Sequence, residues 1–444
     1  MEIIRGPGLW WDGLAETQRR PRPAPANDTT ADVVIVGAGF TGLWTAYYLR
    51  LLAPERSVIV VERRLAGYGA SGRNCGWCSG FLPNGLDGLA REHGRQAAMA
   101  MQRAAIETVS EVERVVAAER IDCGIRRGGS RLLARNRAQA NRLARTMARL
   151  RSFGFGPEDY RLLDKEETSR HLAVSQVVGS AYTPHCAVLN PAKLVRGLAA
   201  VVERHGAVIH EQTPVLSIDR GRVRTEHGVL EGDMVVLATE GYTAGLPGLR
   251  RELAPVHSHM IATDPLPESF WRQVGWADRA TVADQRHHFA YMQRTEDDRI
   301  AIGGRGITYP FGSRVSSAGD RSEAIWARLR HALAEMFPQL GKAGISHRWG
   351  GPIAFTRTME PSAGIDRARR LAWAGGYGGD GVALSNLAGR TLAHLIIGID
   401  TGETRLPWAG VGRRWEPEPL RWLGVRAASA LAHLADFYAD RLAR

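Results

Sequence analysis

A strand-like run, ADVVIV at residues 31–36, opens directly into GAGFTG at 37–42, and Glu62 closes the next β-branched run, SVIVV at 57–61, twenty positions beyond Gly42. Residue types in that order can hold a dinucleotide. Gly37 makes the tight turn, Gly39 lets the backbone approach a pyrophosphate and Gly42 lets helix and strand pack closely, while the helix N-terminus faces the negative charge. Glu62 would accept ribose hydroxyls. Its charge disfavours a 2′-phosphate, which Arg63 and Arg64 beside it offset only in part, so NAD or FAD is expected over NADP. A second glycine-rich loop, GYGASGRN at 67–74, supplies Ser71, Arg73 and Asn74 as donors and suits the longer cofactor.

Near the C-terminal end, LAWAGGYGGDG at 371–381 and the apolar stretch 382–398 read as a strand, a glycine turn and a helix capped by Gly398. A helix N-terminus there would stabilise a reduced flavin, which is anionic around N1 and the neighbouring carbonyl. A second dinucleotide site using Asp400 competes with this reading, but Asp400 follows a helix cap and has no strand before it. Asp380, in the turn, is placed to accept a hydrogen bond from the cofactor or to cap the helix.

These motifs, with VLATEG at 236–241, resemble the D-amino acid oxidase-like family of FAD-dependent oxidoreductases, the group containing sarcosine, glycine and gamma-glutamylputrescine oxidases. The likeness spans residues 31–410, and GASGRN at 69–74 brings the gamma-glutamylputrescine oxidase-like branch nearest. Cys75 stands where the family usually has glycine. The resemblance implies FAD as cofactor and extends its contacts to Phe40, Thr41 and Arg63, to Val215 and Thr239 on the adenosine side, and to Gly378, Gly379, Gly381 and Val382 with Asp380.

The expected fold class is α/β, with a discontinuous Rossmann-like FAD-binding domain (31–90, 180–249 and 349–410) and an α+β substrate domain built on an antiparallel sheet (91–179 and 250–348). Helical periodicity marks 92–119 and 136–151, and Asn190 before Pro191 marks a helix start. Alternation marks strands at 258–263, 288–294 and 299–304, followed by a helix at 322–337. Residues 1–30, with RPRPAPAN at 20–27, read as a tail and linker, and 411–444 as an amphipathic helix. In that helix Leu420, Leu423, Leu431, Leu434, Tyr438 and Leu442 form the expected docking face, with Arg421, Arg426 and Arg441 outside. The partner would be the helix's own domain, a second subunit or a membrane surface.

A chain of 444 residues with 44% hydrophobic and 23% charged residues is large enough for two full cores. The net charge of +12 does not imply nucleic acid: lysine occurs only at 165, 193 and 342, and the arginines are scattered along the chain, often beside acids. With no run of eighteen apolar residues and no signal-peptide pattern at the start, a cytoplasmic protein is expected. The four cysteines are too few for a disulfide framework. Cys75 and Cys78 have redox spacing but lie in the second cofactor loop, so packing at the flavin edge is expected, and no metal site.

A flavin accepts a hydride from a carbon bearing an amine or hydroxyl, so the protein must orient and deprotonate the substrate. On the strands expected to face the ring, His257, His259, Tyr291 and Arg305 are the candidates. His259 or Tyr291 would take the proton, and Arg305, after two glycines, would clamp an anionic group in bidentate geometry. The expected activity is oxidation of the C–N bond of a small amine or amino acid to an imine that hydrolyses to an aldehyde or keto acid, with oxygen or another electron acceptor. A 2-hydroxy-acid dehydrogenase and a non-catalytic nucleotide-binding or membrane-surface protein are the alternatives.

Overall fold

The computed structural model describes residues 6–83, 85–408 and 413–441. Of the expected elements, the start of the tail (1–5), the entry to the last helix (409–412) and Leu442 lie outside them.

The strand Thr29–Val36 lies at the centre of the first sheet. Val33 and Ile35 point to one face and Val34 and Val36 to the other, all buried, which is why the run has no polar alternation. Its neighbours are Val58–Val61 on one side and Gly228–Leu237 on the other, both parallel to it. Val208–His210 and Leu371–Gly375 extend the parallel order, and Ser362–Asp366 closes one edge antiparallel. Helices Phe40–Leu52, Arg95–Ala118, Pro191–Arg204 and Gly381–Ile397 share one large core against this sheet. The other face is covered by the antiparallel pair Val215–Asp219 and Arg222–Thr225. This is a Rossmann-like nucleotide sheet. The expected helix starts hold: the Asn190 side chain accepts from the N–H groups of Ala192 and Lys193, with Pro191 at the first helical position. Gly398 ends the helix Gly381–Ile397 in the left-handed conformation, φ 82°.

The second sheet runs Ile345–Phe355, Ala254–Thr263, Ile300–Gly304, Ala290–Arg294, Thr281–Asp284, Ser130–Ala134, Gly179–Thr183, Arg161–Leu163. It is antiparallel except where Ser130–Ala134 meets Thr281–Asp284 in parallel. Helices Glu268–Val274 and Glu323–Met336 back it through Trp271, Trp276, Trp326 and Phe337. A short ladder, Trp77–Ser79 with Cys186–Val188, lies between the two sheets in chain order.

Two terminal segments differ from their sequence reading. The N-terminal segment is packed, not a free tail: Trp10 and Trp11 are buried, and their indole N–H groups donate to the carbonyls of Asn74 (2.7 Å) and Gly72 (3.0 Å). Apolar burial plus satisfaction of two loop carbonyls outweighs the linker-like composition that follows. The C-terminal helix Leu420–Arg441 docks through its other face: Arg421 is 2% exposed, whereas Leu431 is 67% exposed. Arg421 donates to Glu418 and to the Arg250 carbonyl, and Asp436 accepts the backbone N–H groups of His287 and His288. Buried charge here is fully partnered, so the polar face can turn inward. No described helix is long and apolar enough to cross a membrane.

Candidate functional site

The glycines of the first motif are demanded by close approach. A Cβ on Gly42 would sit 2.0 Å from the Gly37 carbonyl oxygen, and one on Gly37, whose φ is 106°, would sit 2.5 Å from the Ala238 oxygen. The strand, the turn and the helix Phe40–Leu52 are thereby held so close that only glycine fits. At the end of the next strand the Glu62 carboxylate accepts N–H groups from Ala38 (3.0 Å) and Arg64 (2.9 Å). Burial pushes its carboxyl above the ordinary range, opposed by those two donors.

A cavity of about 870 Å³ begins at these groups. Gly37, Gly39, Phe40, Thr41, Glu62, Arg63, Ser71, Arg73, Asn74, Val215, Thr239, Gly379, Gly381 and Val382 all line it. Gly42 serves the packing beneath, and Gly378 and Asp380 lie beside the lining instead of in it. Within the loop the donors are partly committed. Ser71 Oγ accepts from Phe40 N (2.8 Å), tying the loop to the helix N-terminus. Asn74 Nδ2 donates to the carbonyls of Ala70 and Ser71, and its Oδ1 accepts from Gly76 N, so it shapes the turn. The Arg73 guanidinium donates to Asp320 (2.7 Å) and to the carbonyls of Gly350 and Tyr68. It joins the cofactor loop to the second sheet.

Three proton-transfer and clamp candidates do not reach the cavity. Arg305 is buried against Asp284 (2.5 Å) and donates to the His288 carbonyl (3.0 Å), so its guanidinium is engaged within the second sheet and does not offer the expected clamp. The glycines before it serve local packing: a Cβ on Gly303 would lie 2.6 Å from the Tyr291 ring, and one on Gly304 2.2 Å from the Phe289 oxygen. His259 Nε2 pairs with the Gly319 carbonyl (3.0 Å), and burial lowers the ring to about 4, so it stays neutral. Tyr291 is hydrogen-bonded to Ser258 (2.7 Å), and burial raises its hydroxyl out of working range. His257 pairs with Asp320. The thiols of Cys75 and Cys78 are buried and pushed well above their usual range, so neither is held as a thiolate.

Two acids flank the turn after Leu371–Gly375. Glu240, at φ 43°, accepts N–H groups from Gly376 (2.7 Å) and Ala354 (3.2 Å), clasping the turn to the second sheet. Burial raises its carboxyl to about 7. Asp380 leaves the helix N-terminus uncapped by its side chain and instead accepts from Ser79 Oγ (3.1 Å), and burial raises it to about 6. Both are half-buried, and desolvation is the largest cause of the rise, opposed at Glu240 by its backbone donors and at Asp380 by Ser79. The roles of Glu240 and of the Thr41–Tyr377 hydrogen bond (2.9 Å), although all three residues lie in the quoted motifs, escaped sequence reading because their partners lie far along the chain. The same holds for Glu211, fully buried, which accepts from Arg22, Arg196 and Ala66 N and pins the N-terminal segment to the nucleotide domain.

The sequence profile described as FAD dependent oxidoreductase (DAO) matches residues 32–395. The chain belongs to this family of FAD-dependent oxidoreductases. Among its relatives, a probable oxidoreductase OrdL of Haemophilus influenzae is 30% identical over 379 residues, covering 83% of this chain and 84% of the relative. The gamma-glutamylputrescine oxidoreductase of Escherichia coli is 28% identical over 375 residues, with 83% and 84% covered. Glycine oxidase from Geobacillus kaustophilus shares the fold, with a TM-score of 0.70 at 22% identity over 84% of this chain and 96% of that one. FAD fits the residues present: the glycine cradle closes on any side chain, Glu62 opens on the nucleotide end, and the cavity continues from there to Ile353, Tyr377 and Gly379.

Proposed function

We propose that this FAD-dependent oxidoreductase oxidises the C–N bond of a small amine or amino acid. The residues above would hold the flavin, which would supply the hydride acceptor. The cavity carries the reading: in a chain of the FAD-dependent oxidoreductase family, it runs from the glycine cradle and Glu62 to Ile353, Tyr377 and Gly379. In this mechanism the substrate ammonium loses a proton to solvent, freeing the nitrogen lone pair. With FAD bound, hydride from the adjacent C–H would pass to the flavin and the remaining N–H proton would go to solvent, giving the imine. Water adds to the imine, giving the aldehyde or keto acid and releasing ammonia or a shortened amine.

The gamma-glutamylputrescine oxidoreductase relationship supports an amine, and the pairing of Arg305 with Asp284 weighs equally against its use as a clamp for an amino acid or a 2-hydroxy acid. The electron acceptor is oxygen or another oxidant, and the cytoplasm is the compartment this chemistry suits.

The test is an anaerobic titration of the purified yellow protein with panels of amines, amino acids and 2-hydroxy acids, read by flavin absorbance. Bleaching by an amine or amino acid, with ammonia or amine released, is expected. Bleaching by hydroxy acids alone would overturn the reading.

A further inference from the structure

Among the described residues, the helix Leu420–Arg441 presents an apolar face that is largely exposed. Its inward stripe is Arg421, Val425, Ser429, Ala432 and Asp436, and its outward stripe is Leu420, Gly424, Ala427, Leu431, Leu434 and Tyr438. The outward positions repeat at intervals of four, three, four, three and four, the 3.5-residue period of a helix seam. Leu420 is 61% exposed, Leu434 52% and Tyr438 60%. With Leu423, itself exposed, and the small residues between, the face offers on the order of 700 Å² of apolar surface, close to the ~800 Å² per partner of a standard protein interface.

We infer that this face pairs with the same helix of a second copy of the chain, antiparallel, about a two-fold axis near Ser429. That arrangement sets Leu420 against the partner's Tyr438, Gly424 against the partner's Leu434, and Ala427 against the partner's Leu431. Large side chains meet small ones in the inner layers, Gly424 with Leu434 and Ala427 with Leu431, while Leu420 and Tyr438 close the ends of the seam. The socket is open: a Cβ built on Gly424 meets no atom within 4 Å. A bilayer is the poorer occupant. An interfacial helix needs a cationic polar face toward the headgroups, and here the polar face is spent on the protein, with Arg421 and Asp436 buried. Among the described side chains of the helix, Arg426 is the one arginine left exposed, and it lies over Trp422 at 4.7 Å.

Sedimentation velocity on the FAD-loaded full chain, from about 1 to about 50 μM, tests this. A dimer is expected for the wild type. Leu431→Glu with Leu434→Glu should raise its dissociation constant by on the order of a hundredfold or more, with the flavin spectrum unchanged, because both side chains lie in solvent within one chain. Gly424→Leu is the sharper probe. It adds apolar surface and favours the helix, so it would strengthen membrane seating or unspecific association, whereas it fills the socket of the interdigitated pair and should weaken the dimer about tenfold or more. A monomeric wild type, a dimer that survives the paired glutamates, a dimer tightened by Gly424→Leu, or a monomer that floats with anionic phospholipid vesicles would each overturn the proposal.

Discussion

The nucleotide cradle and the second sheet hold charged side chains in opposite ways. In the cradle, Glu62 spends its hydrogen bonds on two local N–H groups and still opens on the cavity. In the second sheet, Arg305 spends its guanidinium on Asp284 and His288 and does not line the cavity. Sequence separation does not distinguish them: Glu62 and Ala38 are 24 residues apart, Arg305 and Asp284 21, and Arg305 and His288 17. A charge with purely structural partners and a charge left for a ligand carry the same residue type, and partner geometry alone separates them.

The largest effect that separates these two uses is expected at Arg305. Arg305→Met leaves the Asp284 carboxylate buried without its cation, and unfolding free energy should fall by about 3 kcal/mol or more in urea titrations, with KM for the substrate unchanged. A tenfold rise in KM at unchanged stability would restore the clamp.

Glu240 should show a pH signature of roughly 2 kcal/mol. Its native carboxyl, at about 7, lies above the unfolded value of 4.5, so the native state holds the extra proton between them. The stability this group contributes is complete below the unfolded value and is lost as pH rises through about 7. Between about pH 5 and about pH 8 the flavin-free wild type should therefore lose roughly 2 kcal/mol more than Glu240→Gln, and parallel curves would show that the clasp does not titrate.

Glu62→Ala should weaken FAD retention about tenfold, measured as the dissociation constant of reconstituted protein. Retention equal to wild type would mean the carboxylate serves its two N–H donors alone. The smallest change is expected for Tyr377→Phe, which removes the hydrogen bond to Thr41 and should cost about 1 kcal/mol in thermal or urea unfolding while leaving flavin binding nearly intact.

The same contrast explains what was legible from the residues alone. The glycine turn, its helix, the acid at 62 and the later glycine turn were readable because each constraint acts between neighbours: a backbone that must bend at Gly37, a helix that must start, a strand that must end in an acceptor. The helix after Asn190 and three strands of the second sheet, near 258–263, 288–294 and 299–304, followed from capping and periodicity in the same way. Arg305 misled because two preceding glycines signal close approach without saying to what, and the approach is to Tyr291 and Phe289.

The C-terminal helix misled for a related reason. Its period defined two faces, but which face turns inward depended on carbonyls, carboxylates and N–H groups supplied from near 250 and 288. Local covalent geometry and side-chain periodicity therefore settled, from sequence, that this chain builds a dinucleotide cradle and two sheets. The tertiary structure decided which charges are spent on the protein, which acids are half-buried at the turn, and which apolar face is left for a partner, because each of those depends on groups that only folding brings within hydrogen-bond reach.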